Sequence, residues 1–142
     1  MNKKIIILPM ISIIVIFLIS FSLSSPEEKE HIVFHITLAD PNLYINGVYT
    51  DKFTIDKGEY FFRFVPNGSS PEILSIMING ENFNFSENFR LQSISQGTEI
   101  SEYFTWEYNG EQTILISQTQ EISIIINPNG NVLGSVSVDI LK

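Results

Sequence analysis

The residues of this chain with the most obvious chemical potential are its two histidines, His31 and His35. On a helix, an H-x-x-x-H pair places two imidazoles side by side as metal ligands. The alternation around them predicts a strand instead, on which four residues at about 3.3 Å each separate the rings by roughly 13 Å. That distance is too great for one shared ion, so we predict two solvated histidines on a polar face and no metal site.

The aromatic stretch EYFTWEY offers a second kind of chemistry, because planar rings on a sheet can stack against sugar rings. Alternation places Phe104, Trp106 and Tyr108 on one face of a strand and Tyr103 on the other. A single Trp in a small sandwich usually fills the core, since its side chain buries roughly 150 to 250 Å². Two interpretations therefore stand, a core cluster, which is favoured, and a ligand platform.

Oxygen ligands for a structural calcium ion occur near predicted loop ends, at Asp40, Asp51, Asp56 and Glu59. Their spacing matches no known calcium loop. The run 127–131, NPNGN, superficially resembles an EF-hand start, but its glycine is at the fourth place rather than the sixth. A turn explains this run better, and we expect no cofactor.

Catalytic signatures are missing from the sequence, which has no G-x-S-x-G, no S-x-x-K and no phosphate-cradling glycine loop. Gly134-Ser135 is predicted inside a strand and Gly68-Ser69 in a turn. Among the 16 acidic residues nothing marks a pair of carboxylates for acid–base work. We predict a protein that is not an enzyme, with a hydrolase using paired carboxylates as an alternative.

The charge and the cysteine content of the chain argue against several classes of partner and site. The formal net charge is −8, and it becomes −10 when the leader cations Lys3 and Lys4 are set aside. The remaining cations are scattered singly, whereas polyanion binding needs clustered Lys and Arg, so nucleic acid is not expected. The absence of cysteine excludes disulfides, a cysteine-based zinc site and a lipobox anchor. Two N-glycosylation acceptors, Asn67 and Asn84, occur at the frequency expected by chance.

The elements that must position these residues are strands. From His31 onward the pattern has period two, with turn residues recurring every eight to twelve positions, which predicts an antiparallel β-sandwich of jelly-roll or immunoglobulin-like type. GEYFFRFV is expected to be a central strand with Tyr60, Phe62 and Phe64 inward, and Asn79-Gly80 is the best hairpin signal. The predicted strands are 31–38, 43–45, 52–55, 58–65, 72–78, 82–85, 89–94, 99–108, 113–118, 121–126 and 132–140.

The apolar segment 5–23 predicts a membrane signal. Its 19 residues follow Lys3 and Lys4 and are long enough to span a hydrocarbon core of about 30 Å, with the N-terminus cytoplasmic. We therefore expect a signal anchor at 1–24 in contact with the lipid bilayer, an exposed stalk at 25–30 and an extracytoplasmic domain at 31–142. Ser22 and Ser24 have the spacing that a signal peptidase reads, so secretion after cleavage near Ser24 is the alternative.

Three stretches carry a resemblance of layout: GEYFFRFVPNGSSPEILSIMING, FTWEYNG and IIINPNGNVLGSVSVDI. Together they resemble small extracytoplasmic β-sandwich proteins of archaea, and in outline the jelly-roll domains of carbohydrate-binding and peptidase-associated modules. The resemblance implies a fold and no catalytic residue. The leading hypothesis is a membrane-anchored surface module that binds a glycan, a surface polymer or an envelope protein. A pilin-like filament subunit is the structural alternative, although Lys4 runs into Ile5 without the small residue expected at a pilin cleavage site.

Overall fold

The computed structural model describes residues 30–97 and 101–142. The predicted leader at 5–23, the stalk up to residue 29 and the segment 98–100 lie outside the described residues. Within the described part, no helix is long and apolar enough to cross a membrane.

The described chain is built from strands joined by turns. One short 3-10 turn, Pro41–Leu43, precedes the second strand. The strands are β1 (Ile32–Leu38), β2 (Tyr49–Ile55), β3 (Gly58–Pro66), β4 (Ile73–Gly80), β5 (Asn84–Gly97), β6 (Glu102–Asn109), β7 (Thr113–Ile116), β8 (Gln120–Asn127) and β9 (Val136–Leu141).

These strands form two antiparallel sheets. The four-stranded sheet has the order β1-β9-β3-β7, and the five-stranded sheet has the order β2-β8-β4-β5-β6. The predicted all-β architecture of two antiparallel sheets is confirmed, and β3 has two neighbours in its sheet, as its aromatic pattern predicted.

The core lies between the sheets because alternate residues of the central strands are apolar. In β8, Ile122, Ile124 and Ile126 are fully buried, and from the opposite sheet Phe62 and Ile140 are buried against them. The other apolar residues of β4 and β9 that point inward are Leu74, Ile76, Ile78, Val136 and Val138. Two-residue periodicity in these strands accounts for the core.

The first strand departs from the predicted alternation. Ile32 pairs with Leu141 and Phe34 with Ile140, so two steps along β1 correspond to one along β9. Such a β-bulge shifts the facing of the residues before it. Ile32 is therefore exposed while Val33 packs against the core, the reverse of what strict alternation with Phe34 would give.

Asn46 and Gly47 form a turn, with positive φ of 54° and 83° and reciprocal backbone bonds between Ile45 and Val48. This is the geometry of a two-residue type I′ turn.

The strand predicted at 43–45 is wrong, because Asp40 caps the 3-10 turn by accepting a hydrogen bond from the Asn42 amide at 2.9 Å. Ile45 makes only an isolated bridge.

The hairpin predicted at Asn79-Gly80 exists, but its turn lies two residues later, at Glu81-Asn82. Asn79 still pairs with Asn84, and the Gly80 amide donates to the Phe83 carbonyl at 2.7 Å. Gly80 is required for space, since a Cβ there would lie 2.4 Å from Oε1 of Gln120. The two predicted strands 82–85 and 89–94 are one strand, β5.

Two turns carry the chain from one sheet to the other. Asn109-Gly110 links β6 of the five-stranded sheet to β7 of the four-stranded sheet, and 127–131 links β8 to β9 in the same direction. The last strand begins at Val136 rather than at 132. Gly134, predicted inside this strand, lies in the loop before it, where a Cβ would be 2.4 Å from the Ser69 carbonyl oxygen.

Candidate functional site

The hairpin of β5 and β6 extends beyond the rest of its sheet. β4 pairs with β5 as far as Ile73 opposite Arg90, whereas β5 and β6 stay paired as far as Gly97 opposite Glu102. From Gln92 onward this hairpin therefore has no third strand beside it. We call the two-stranded segment 92–97 with 102–107 the arm.

One face of the arm continues the face of the core. Tyr108 pairs with Leu91, Trp106 with Ser93 and Phe104 with Ser95, so these side chains share a side of the sheet. Tyr108 is 3% exposed, whereas Trp106 is 53% and Phe104 57% exposed. The core interpretation therefore holds for Tyr108, while Trp106 and Phe104 project past the sandwich into solvent.

Tyr103 lies on the opposite face of the arm, as the alternation predicted, and is 57% exposed. Its neighbour across the strand pair on that face is Gln96. The four aromatic residues singled out from the sequence are thus divided among three environments: core, inner arm face and outer arm face.

Tyr108 anchors the arm to the sandwich. Its hydroxyl donates to the Pro71 carbonyl at 2.5 Å, and its ring packs on Phe64 with the ring centroids 5.2 Å apart. Burial raises the pKa of Tyr108 to about 12, which keeps the hydroxyl a hydrogen-bond donor at neutral pH.

A groove runs along the base of the arm. It has a volume of about 320 Å³ and is lined by Glu72, Ile73, Arg90, Leu91, Gln92 and Trp106. A second depression of about 340 Å³ shares Glu72 and Ile73 with it and continues to Pro128, Asn129 and Asn131. The first groove brings together residues from both faces of β5, Leu91 and Trp106 from one face and Arg90 and Gln92 from the other, where β5 extends beyond β4.

Asparagine residues build the far end of this groove. Asn129 and Gly130 have positive φ of 52° and 93°, and 127–131 forms the expected turn. The Asn129 side-chain amide donates to the Ile73 carbonyl at 3.1 Å and to Ser75 Oγ at 2.9 Å. The turn is therefore fixed to the first residues of β4.

A second polar cluster lies on the outer face of the four-stranded sheet. The Asp139 side chain is 4% exposed and binds His35 Nδ1 at 2.5 Å and Arg63 Nη2 at 2.8 Å. Arg63 also reaches Glu30 at 3.3 Å. Asp139 could not be predicted from the sequence, because a single carboxylate at an outward position of a strand gives no sign of its cross-strand partners.

Burial alone would raise the pKa of Asp139, but the hydrogen bonds from His35 and Arg63 and the charge of Arg63 outweigh it. The pKa of the carboxyl therefore lies below its ordinary value. His35 Nε2 lies 3.4 Å from Thr37 Oγ1, whose closer partner is Ser137 Oγ at 2.9 Å. This arrangement forms a polar ladder across β1, β9 and β3.

The histidines predicted to be merely solvated differ from each other. His31 is exposed and exchanges backbone bonds with Lys142, whereas His35 combines a 56% exposed ring with its bond to Asp139. Among residues 30–97 and 101–142, no three His, Cys, Asp or Glu side chains are grouped so as to hold a metal ion.

The remaining residues singled out from the sequence are dispersed. Asp51 accepts a bond from the Tyr49 hydroxyl at 3.2 Å, Asp56 accepts one from Thr119 at 3.1 Å, and Glu59 is exposed on β3. The acceptor asparagines Asn67 and Asn84 are both exposed, the first in the turn after β3 and the second at the start of β5.

Comparison with protein-family models, curated proteins and solved structures finds no match for this chain. Fold and site together define an all-β protein of two antiparallel sheets, from which one hairpin projects with exposed aromatic rings on its inner face.

Proposed function

We propose that this chain is a membrane-tethered, extracytoplasmic jelly-roll protein that binds a glycan on the inner face of the arm. The strand pairs support the jelly-roll topology. With β6 set aside, β1 pairs with β9, β2 with β8, β3 with β7 and β4 with β5, which are the rungs of one long hairpin rolled into two sheets. In this topology β6 is an additional strand beside the eight of the jelly roll, and the arm is not part of the jelly roll itself.

The observation that carries the glycan site is the exposure of Trp106 and Phe104 on one face. Large aromatic side chains usually bury most of their surface, and exposing two of them side by side costs hydrophobic free energy in the unbound protein. They are two residues apart on one strand, so their rings follow each other at about 7 Å along the arm. Such a row suits the flat faces of consecutive sugar rings.

The groove at the base of the arm supplies the polar groups that a sugar needs. Hydroxyl groups are both donors and acceptors. Glu72 at the groove and Ser93, opposite Trp106 on the same face of the arm, offer an acceptor and a mixed partner, while Arg90 and Gln92 line the groove from the other face of β5. Sites of this kind combine apolar contact area with a few oriented polar groups. The glycan would stack on Trp106 and Phe104 and direct hydroxyls towards the groove.

The charge of the chain selects among glycans. With a formal net charge of −8, the protein repels polyanions, so we propose an uncharged polymer of hexoses or N-acetylhexosamines. The tether is supported by the apolar segment 5–23 behind Lys3 and Lys4. It would hold the binding face close to the outer surface of the cell membrane.

Fluorescence titration tests the proposal, because Trp106 is the one tryptophan of the chain. The purified full chain is titrated with neutral polymers, namely a β-glucan, a mannan and chitin oligosaccharides, with hyaluronan as the anionic comparison. We expect a saturable blue shift of the emission with a neutral polymer and none with hyaluronan.

Matched substitutions assign the site. Phe104→Ala should weaken polymer binding at least roughly tenfold in calorimetry, since stacking contacts of this size contribute about 1 to 3 kcal/mol. Tyr103→Ala removes an equally exposed ring from the other face and should leave binding unchanged. Equal losses in both variants, or no shift with any neutral polymer, would refute a glycan site on the inner face.

A further inference from the structure

We propose that the arm is also a self-association surface, on which β6 pairs antiparallel with β6 of a second copy about a two-fold axis at Thr105. This inference does not depend on the glycan site. It rests on the free edge of β6, on the register that its residues permit and on the unpartnered hydroxyl of Thr105.

The four edge strands of the two sheets differ in how they are protected. Exposed edges invite pairing with another chain unless they are short, bulged or charged in the middle. β7 is four residues long, β1 contains the bulge after Ile32, and β2 carries Asp51-Lys52 at its centre. β6 has eight residues, no proline and a regular register with β5, and its two glutamates lie near the ends.

The backbone groups of β6 that face the open edge can be identified from its partners. The Leu91 amide donates to the Glu72 carbonyl, so Leu91 turns its backbone groups away from its partner Tyr108. Successive residues of a strand point their backbone groups to opposite sides, so Tyr103, Thr105 and Glu107 direct their amides and carbonyls to β5. Glu102, Phe104 and Trp106 direct theirs to the open edge. The Gln112 side chain bonds the Tyr108 carbonyl at 3.1 Å, which ends the free edge there.

A two-fold axis at Thr105 satisfies these groups. Phe104 then lies opposite Trp106 of the second copy, and this pair exchanges two backbone hydrogen bonds. The two-fold axis generates the equivalent pair with the copies exchanged, so the interface has roughly four backbone hydrogen bonds. Tyr103 lies opposite Glu107 and Glu102 opposite Tyr108, so no glutamate faces another. Axes placed at Glu102 or Glu107 would instead set like charges directly opposite, which is destabilising.

Thr105 supplies the independent observation. Its Oγ1 is buried and has no hydrogen-bond partner among residues 30–97 and 101–142. A buried hydroxyl without a partner costs about 1 to 3 kcal/mol, so such groups are usually paired. At the axis the two threonines face each other, and after a χ1 rotation their hydroxyls can bond as cross-strand Thr pairs do.

Dimerisation would also enlarge the aromatic surface. The pairs of Phe104 and Trp106 from both copies lie on the same face of one continuous sheet, because the alternation of the two β6 strands is kept in register. Four rings would then form a single platform, where one copy presents two.

Cysteine cross-linking tests the register, since the chain contains no cysteine of its own. Thr105→Cys in the full chain, kept in detergent solution and mildly oxidised, should give a covalent dimer, because opposed residues of a non-hydrogen-bonded pair approach to about 4.5 Å between Cα atoms. Tyr103→Cys alone and Glu107→Cys alone should stay monomeric on a non-reducing gel. A mixture of these two variants should form the mixed dimer.

Sedimentation of the uncross-linked protein provides the second measurement. Thr105→Lys places two cations at the axis and should shift the wild-type dimer to monomer, whereas Thr50→Lys, at an exposed threonine of edge strand β2, should leave the dimer unchanged. A monomeric wild type, or equal cross-linking of all three cysteine variants, would overturn the dimer. Glycan binding is measured separately, and its retention by Thr105→Lys would show that the two proposals stand or fall independently.

Discussion

Trp106 and Tyr108 lie two residues apart on the same face of β6, yet Tyr108 is 3% exposed and Trp106 is 53% exposed. The boundary of the sandwich therefore falls between them. β4 ends its pairing with β5 at Arg90, one residue before the partner of Tyr108, so nothing beyond Tyr108 has a third strand to lie beside. The same aromatic alternation thus serves the core on one side of this boundary and the solvent-exposed arm on the other.

Substitutions on the two sides of the boundary are expected to lower the free energy of unfolding by different amounts. Tyr108→Phe leaves the Pro71 carbonyl without its partner and should lower the free energy of unfolding by about 1 to 2 kcal/mol. Trp106→Ala removes a larger side chain but one that is half in solvent, and it should cost less than about 1 kcal/mol. Urea unfolding followed by circular dichroism compares them. A greater loss in Trp106→Ala would place the indole in the core.

Trp106 should also be reachable by small quenchers in the folded protein. Iodide quenches an indole only on contact, so the emission of the folded chain should be quenched with at least about half of the efficiency seen in denaturant, in keeping with the exposed fraction of the side chain. Strong protection in dilute, monomeric protein would contradict an exposed arm.

Gly134 is expected to tolerate no side chain. A Cβ there would approach the Ser69 backbone oxygen to 2.4 Å, and two loops would have to separate to admit it. Gly134→Ala should therefore lower the free energy of unfolding by about 1 to 3 kcal/mol in urea titration. Gly68→Ala is the control, since its Cβ would meet no atom within 4 Å, and a change beyond about 0.5 kcal/mol there would show that the loop is strained for another reason.

Much of the fold follows from local pattern. In β4 and β8 every second residue is apolar and buried, at 74, 76 and 78 and at 122, 124 and 126, and Asn46-Gly47 has the residues that a type I′ turn requires. The predictions from the sequence are wrong where contacts between distant strands determine the local structure. The bulge after Ile32 depends on pairing with β9, and Gly80 is a glycine because Gln120 lies against it, not because the turn begins there.

The candidate site could be predicted only in its composition. The alternation placed Phe104 and Trp106 on one face, but their exposure depends on where β4 stops beside β5, and no feature of EYFTWEY encodes that. Arg90 and Glu72 meet at the groove through pairing between separate strands. Likewise, the partners of Asp139 come from positions 76 and 104 residues away in the chain.

Asp139 gives the fold a predictable dependence on pH. Because its pKa is lower in the folded state than in the unfolded chain, the stability it contributes is present above the unfolded value of about 3.9 and is lost as the pH falls through the folded value. Arg63→Gln removes one of the groups that hold this pKa down. It should cost about 1 to 2 kcal/mol at neutral pH, and the difference from wild type should shrink as the solution is acidified.

Urea unfolding at several values between about pH 7 and pH 3 measures this convergence. Asp139→Asn should lower the free energy of unfolding at neutral pH by a similar amount. Its free energy of unfolding should also change little as the pH falls, because the substitution removes the titrating group itself. Arg90→Gln is the matched control, an arginine that forms no ion pair with the described residues, and its curve should run parallel to that of the wild type. If the Arg63→Gln curve instead runs parallel to that of the wild type, the guanidinium is bound to Asp139 without stabilising its charge.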